Sequence, residues 1–253
     1  MTLILRAGAA SDVGLVRGNN EDALHVGHRL LVVADGMGGH ASGEVASKMA
    51  VDAMHEFFSQ TAEDPERTWP YKMDRSKGYE ENRLITGIKL ANLRIYETAQ
   101  RESKKRGMGT TFVGMFTAND GVYVAHVGDS RVYRFRDGKL EMLTEDHSLL
   151  NDYIKMKRLT PEEIANFPHK NVIVRALGMK DTVKVDTRFE VPLLNDTFIL
   201  CSDGLSGPVS DEEMAQVLSQ YGDIKTATAK LIEKANENGG PDNVTCVLVR
   251  WTQ

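Results

Sequence analysis

The sequence predicts an α+β fold built on antiparallel sheets. Short apolar or alternating runs recur, and hairpin turns join some of them: Asn119-Asp120-Gly121 and Asp137-Gly138. Long helical patterns sit in two separate places instead of following each strand. The regular β-α-β rhythm of a doubly wound parallel sheet is absent.

In chain order, residues 23–26 and 30–34 are compact apolar runs that read as strands, the second ending at Asp35. Residues 41–60 follow Gly36-Met37-Gly38-Gly39 with Val45, Met49, Ala53 and Phe57 on one stripe, which predicts an amphipathic helix. The polar stretch 62–81, with Pro65 and Pro70, reads as a loop. Leu84, Ile88, Ala91, Ile95 and Ala99 give a second helix over 82–105, closed by Lys104-Lys105-Arg106 before Gly107. Strands are predicted at 110–118, 122–127, 131–136 and 139–143. Residues 146–171 are polar and helical in patches, with a capping box at Thr160-Pro161-Glu162-Glu163. Further strands fall at 183–190, 196–202 and 244–251, and helices at 210–220, opened by the capping box Ser210 to Glu213, and 224–238. No boundary divides the chain, so 1–253 reads as one domain with a small insertion at about 147–171.

At 253 residues the chain is long enough to bury a sizeable core. No apolar run nears the roughly 18 residues a membrane helix needs, and residues 1–10 lack a secretory h-region. Two cysteines, Cys201 and Cys246, make neither a disulfide framework nor a four-cysteine zinc site. Thirty-six Asp and Glu against 31 Lys and Arg give a net charge of −5, which argues against a nucleic-acid partner.

The informative feature is where particular acids stand. Glu21-Asp22 precede one strand and Asp35 ends the next. Asp129 and Asp203 each follow a strand by one residue, and Asp242 precedes the last strand. Antiparallel pairing can bring a strand's end beside its partner's start. Two carboxylates about 4 Å apart repel by roughly 1–4 kcal/mol, so a convergent set calls for divalent cations. Oxygen donors without nearby His or Cys suit Mg²⁺ or Mn²⁺ rather than Zn²⁺. For any one Asp-Gly or Asp-Asn pair, plain turn chemistry is the commoner reading, and Asp137-Gly138 is read as such a turn. Gly36-Met37-Gly38-Gly39-His40-Ala41 fits a dinucleotide fingerprint formally, but Asp35 would repel a pyrophosphate there and the following ribose-binding acid is missing.

Taken together, Arg17-Gly18-Asn19-Asn20-Glu21-Asp22, Val33-Ala34-Asp35-Gly36-Met37-Gly38-Gly39, Gly109-Thr110-Thr111, Val127-Gly128-Asp129-Ser130-Arg131, Thr144-Glu145-Asp146-His147-Ser148, Cys201-Ser202-Asp203-Gly204-Leu205 and Gly240-Pro241-Asp242-Asn243-Val244-Thr245 resemble the metal-dependent protein Ser/Thr phosphatases of type 2C in their compact bacterial form. The motifs occur in the family's order across nearly the whole chain. The resemblance implies a central antiparallel β-sandwich flanked by helices on both sides. It implies hydrolysis of phosphoserine and phosphothreonine by a metal-activated water at a binuclear Mn²⁺/Mg²⁺ centre, often with a third ion in bacterial members. By motif match, Asp35 bridges the two core metals with the Gly36 carbonyl on one. Asp203 and Asp242 bind the other, Glu21 and Asp22 act directly or through water, and Asp129 with Asp203 matches the third position. Arg17 matches the phosphate-gripping residue, a role suited to a guanidinium fork. Residues near 147–171 correspond to a variable flap.

Two positions depart from the family pattern. Met37 stands where some members carry a His proposed as general acid, and Met donates no proton. His40 is then a candidate for acid work or substrate contact, with a plain helix-start His as its alternative. Gly207 stands where many relatives have Asp. The expected partners are Ser/Thr-phosphorylated proteins written by a cognate Ser/Thr kinase, the expected state is a monomer, and the cysteine usage fits a reducing cytoplasm. A small-molecule phosphohydrolase and a phosphoprotein-binding pseudoenzyme are the alternatives.

Overall fold

The computed structural model describes residues 4–38, 42–64, 68–157, 159–165, 167–168 and 172–253. Its strands are β1 (Ile4–Asp12), β2 (Asp22–Val26), β3 (Leu30–Met37), β4 (Gly109–Thr110), β5 (Phe112–Thr117), β6 (Val122–Val127), β7 (Arg131–Arg136), β8 (Lys139–Met142), β9 (Asp186–Glu190), β10 (Thr197–Cys201) and β11 (Val244–Thr252). Its helices are α1 (Ser42–Glu63), α2 (Tyr79–Arg101), α3 (Leu149–Lys157), α4 (Pro161–Ala165), α5 (Asp203–Ser206), α6 (Asp211–Gln220) and α7 (Ile224–Glu237). Among the described residues, one sheet runs β1-β11-β10-β7-β8 and the other β2-β3-β5-β6-β9, with β4 paired to β3. Every ladder is antiparallel.

The side-chain period of a strand explains the layering. In β3, Leu31 and Val33 face the other sheet, where they meet Phe198, Leu200, Val247 and Val249. Leu30, Val32 and Ala34 face the opposite way, onto α1 and α2 through Ala50, Met54, Leu84 and Ile88. The other sheet repeats the device: Ile199, Cys201, Cys246 and Leu248 pack under α6 and α7 against Met214, Leu218 and Leu231. Strands buried on both faces therefore read as unbroken apolar runs. Each fully buried Val, Leu or Phe contributes about 1.5–3 kcal/mol, so these three cores hold the helix-sheet-sheet-helix stack together. Among the described residues, no helix is long and apolar enough to cross a membrane.

Four differences from the sequence expectation have local causes. β1 pairs with β11 along its whole length, although its Ala- and Gly-rich stretch carries little strand signal of its own. The run expected at 110–118 is split at Thr111, whose N–H donates to the Asp35 carbonyl (2.9 Å). α2 starts at Tyr79, ahead of 82, and ends at Arg101. The basic run beyond it forms a 3-10 turn, Ser103–Lys105. α5 is a short helix directly after β10, with Gly207 closing it by donating to the Asp203 carbonyl (2.7 Å). Both capping boxes form: Glu213 N–H donates to Ser210 Oγ (3.2 Å) and Glu163 N–H to Thr160 Oγ1 (3.3 Å).

Candidate active site

The predicted acids gather at one end of the sandwich. Asp22 and Asp35 are direct partners in the β2–β3 ladder. Asp203 begins α5, two residues beyond β10, and Asp242 lies two residues before β11. Those two strands are adjacent, Cys201 opposite Cys246. Asp129 sits where the chain crosses from β6 in one sheet to β7 in the other. Each acid is thus placed by a strand end, and the site draws on both sheets.

Backbone contacts lock this end. Asn243 accepts from the Glu21 N–H (2.8 Å) and donates through Nδ2 to the carbonyls of Val13 (3.0 Å) and Asn19 (2.8 Å). The Gly36 N–H donates to the Glu21 carbonyl (3.1 Å), which also accepts from Ser47 Oγ (2.6 Å). Gly36 is required here: a Cβ would stand 2.2 Å from the Gly43 carbonyl oxygen and 2.5 Å from that of Glu21. Thr111 Oγ1 accepts from the Asp35 N–H (3.0 Å), and Ser202 Oγ donates to Asp22 Oδ2 (2.8 Å). Arg17, itself exposed, donates through Nη2 to Asp242 Oδ2 at 2.8 Å.

Burial and mutual repulsion set the electrostatics. Burial pushes the Asp22 carboxyl up to about 7, with Asp203 and Asp242 adding to the rise against hydrogen bonds from Thr245 and Ser202. Burial also raises Asp35 well above the carboxylate range, reinforced by Asp22, Asp203, Asp129 and Asp242. Asp129 rises to about 7 through burial, Asp203 and Asp146. Burial and Asp242 raise Asp203, which shares a hydrogen bond with Asp35. The Oδ1 atoms of Asp129 and Asp203 are buried without a hydrogen-bond partner. Orphaned carboxylate oxygens among clustered acids suit hard divalent cations.

Glu21 stands at the edge of this group. Its Oε2 lies 2.2 Å from where a Gly43 Cβ would stand, at the first turn of α1, and its charged neighbours are Arg17, Glu44 and Asp242. Met37 ends β3 opposite Gly109 and offers no proton. Gly207 is exposed and brings no ligand atom. His40 lies outside the described residues. Cys201 and Cys246 are fully buried; burial raises Cys201 to about 12 and Cys246 further, so neither is poised as a thiolate nucleophile.

Supporting residues were harder to read from sequence. Asn243, Ser202, Thr245 and Thr111 lie inside the quoted motifs, but only the fold shows what they hold. A second cluster, His126, His147 and Asp186, has its nitrogen and carboxylate atoms within 4.8 Å of one another. His147 Nδ1 accepts from the Gly128 N–H (3.0 Å), and its Nε2 lies 2.9 Å from Asp186 Oδ2 and 2.8 Å from Arg175 Nη1. Arg175 Nη1 approaches the same carboxylate oxygen at 3.2 Å, so a guanidinium already supplies positive charge beside it. These residues are distant in sequence, and no local pattern joins them.

A sequence profile of the family described as Protein phosphatase 2C matches residues 17–251. Serine/threonine protein phosphatase PstP of Mycobacterium tuberculosis is 39% identical over 248 residues, covering 98% of this chain and 45% of PstP. The chain therefore spans a little under half the length of that relative. Serine/threonine phosphatase stp of Listeria welshimeri is 38% identical over 256 residues, covering 97% of this chain and 95% of its own. The crystal structure of the PstP catalytic domain in complex with two manganese ions is 38% identical, covers all of both chains and superposes with a TM-score of 0.82. The chain belongs to the protein phosphatase 2C family.

Proposed function

We propose that this chain is a metal-dependent protein Ser/Thr phosphatase. The observation that carries the reading is the meeting of Asp22, Asp35, Asp129, Asp203 and Asp242 at one end of the sandwich, with two of their oxygens buried and unpartnered. The donor set is oxygen only and fits Mn²⁺ or Mg²⁺. Asp35 with the Gly36 carbonyl, Asp203 and Asp242 would hold the core ions, Asp22 and Glu21 would act on their waters or directly, and Asp129 with Asp203 would hold a third. Bound there, divalent cations supply Lewis-acid polarisation of the phosphate and a water of lowered pKa.

The protein's own groups do the rest. The Asp22–Asp35 ladder pair and the Ser202–Asp22 hydrogen bond fix carboxylates before substrate arrives, so little reorganisation is left for the reaction. Arg17 spends one N–H on Asp242 and keeps other donors of its fork for the phosphate oxygens. Neither cysteine takes part, so no covalent phosphoenzyme forms on sulfur. Leaving-group protonation falls to water or to His40.

The substrates are proteins phosphorylated on Ser or Thr by a kinase, and the enzyme acts as a cytoplasmic monomer. Purified protein with Mn²⁺ is expected to release phosphate from phosphoserine and phosphothreonine peptides and to stop in chelator. Turnover that survives thorough metal removal overturns the reading. Faster turnover of small phosphomonoesters than of any phosphopeptide moves the assignment to a small-molecule phosphohydrolase.

A further inference from the structure

The segment between β1 and β2 carries two large aliphatic side chains in full view of solvent. Leu15 is 68% exposed and Val16 70% exposed, with Val13 at 36% beside them. Single exposed apolar residues are ordinary on a protein surface. This pair differs in being both adjacent and pinned. The Leu15 N–H donates to the Gly240 carbonyl at 2.8 Å. Asn243 Nδ2 holds the Val13 carbonyl at 3.0 Å, and the Gly14 N–H is capped by Asp12 Oδ1 at 2.9 Å. Gly14 has φ +78, and a Cβ there would stand 2.3 Å from the Asp242 carbonyl oxygen. The segment is fitted tightly to the 240–243 turn, so its aliphatic tips are presented on a fixed backbone.

Their place matters as much as their exposure. Arg17 follows directly, with its guanidinium on Asp242 (2.8 Å). Two residues of chain span at most about 7 Å between Leu15 and Arg17. An extended peptide advances about 3.3 Å per residue. A phosphoresidue bound at Arg17 would therefore have its neighbours, one to three positions away, within reach of Leu15 and Val16.

We infer that Leu15 and Val16 form a specificity-determining ledge that selects phosphopeptides with an apolar side chain within three residues of the phosphoserine or phosphothreonine. The occupant is a peptide because the segment that carries the ledge runs directly into Arg17, the residue assigned to its phosphate, and one chain fills both. This inference rests on the phosphatase reading. Its gain is ground-state and transition-state binding of a group remote from the chemistry, so it is read in kcat/KM and chiefly in KM.

The test compares wild type, Leu15→Ser/Val16→Ser and Leu15→Met in Mn²⁺. Substrates are phosphopeptides with Leu or Val beside the phosphoresidue, the same peptides with Ser or Gly there, and an aryl phosphate. Wild type is expected to prefer the apolar peptides. The double variant is expected to lose about tenfold in kcat/KM on those peptides alone, consistent with one or two aliphatic contacts, while Leu15→Met retains the preference. Equal rates across the peptides in wild type overturn the inference, as does an equal loss on the aryl phosphate, which would mark the loop as structural. A wild-type dimer that the double variant converts to monomer in gel filtration assigns the ledge to a second copy and also overturns it. A wild type inactive on every substrate instead refutes the phosphatase reading itself.

Discussion

Asp22 and Asp35 face each other across the β2–β3 ladder, so main-chain pairing sets two carboxyl groups side by side. Like charges directly opposite in a sheet destabilise it. Given their burial, ionising both carboxyls therefore strains the metal-free fold, which is why both titrate above the usual carboxylate range, and a bound cation would relieve that strain.

That strain gives a stability prediction. Mn²⁺ at about a hundred times its dissociation constant stabilises the fold by about 2.7 kcal/mol, which raises the thermal midpoint by roughly 5–10 °C for a chain of this size. Asp35→Asn is expected to abolish that shift without lowering the metal-free midpoint, because it removes a group whose ionisation the fold penalises. Thermal unfolding with and without Mn²⁺ checks both; a metal-free Asp35→Asn midpoint well below wild type contradicts the repulsion account.

The pH dependence of the metal-free protein follows from the same groups. Asp22 and Asp129 titrate near 7 in the fold and near 3.9 when unfolded. The folded state binds more protons between those values, so their stabilisation is complete below about 3.9 and is lost as pH rises through 7. His147 acts in the opposite sense. Burial lowers it to about 4 against 6.5 unfolded, so its contribution is present above 6.5 and lost as pH falls toward 4. Urea unfolding in chelator from pH 4 to 8 separates them: Asp22→Asn should make stability rise more with pH than in wild type, and His147→Gln should make it rise less.

Arg17 is joined to Asp242 by one N–H and remains exposed. Losing one charge-assisted contact costs roughly 1.5–3 kcal/mol, so Arg17→Ala should lower kcat/KM on phosphopeptides about ten- to hundredfold. Arg17→Lys should recover only part, since an ammonium cannot reproduce the fork. Steady-state kinetics with Mn²⁺ held saturating is the measurement, and full recovery by Lys contradicts a bidentate role.

Gly36→Ala tests the close approach of β3, α1 and the Glu21 backbone. The new Cβ meets the Gly43 carbonyl oxygen at 2.2 Å, and backbone must move to admit it. Overpacking of this kind costs about 1–3 kcal/mol, read as a lowered urea midpoint. Activity should fall further than stability, because the shift displaces Glu21 and Asp35 together.

Much of this site was legible in the sequence because of how it is built. A strand buried on both faces leaves an unbroken apolar run, and an acid at its end stands out, as Asp35 does after Leu30 to Ala34. The Asp22–Asp35 pairing could be anticipated because a short connection between neighbouring strands favours an antiparallel hairpin. β1 was not legible, since Ala7, Gly8, Ala9 and Ala10 acquire strand character only by pairing with β11. The His126, His147 and Asp186 cluster was hidden for a related reason. β6, the segment after β8 and β9 each supply one member, and only tertiary packing brings them together.

The acids come from opposite halves of the sandwich: Asp22 and Asp35 from one sheet, Asp203 and Asp242 from the borders of the other. A chain with only one sheet formed has half of this acidic cluster. The cluster is thus completed only when the two halves dock. On the proposed reading, cations bound there would act as rivets across the seam, and their removal would loosen the same joint.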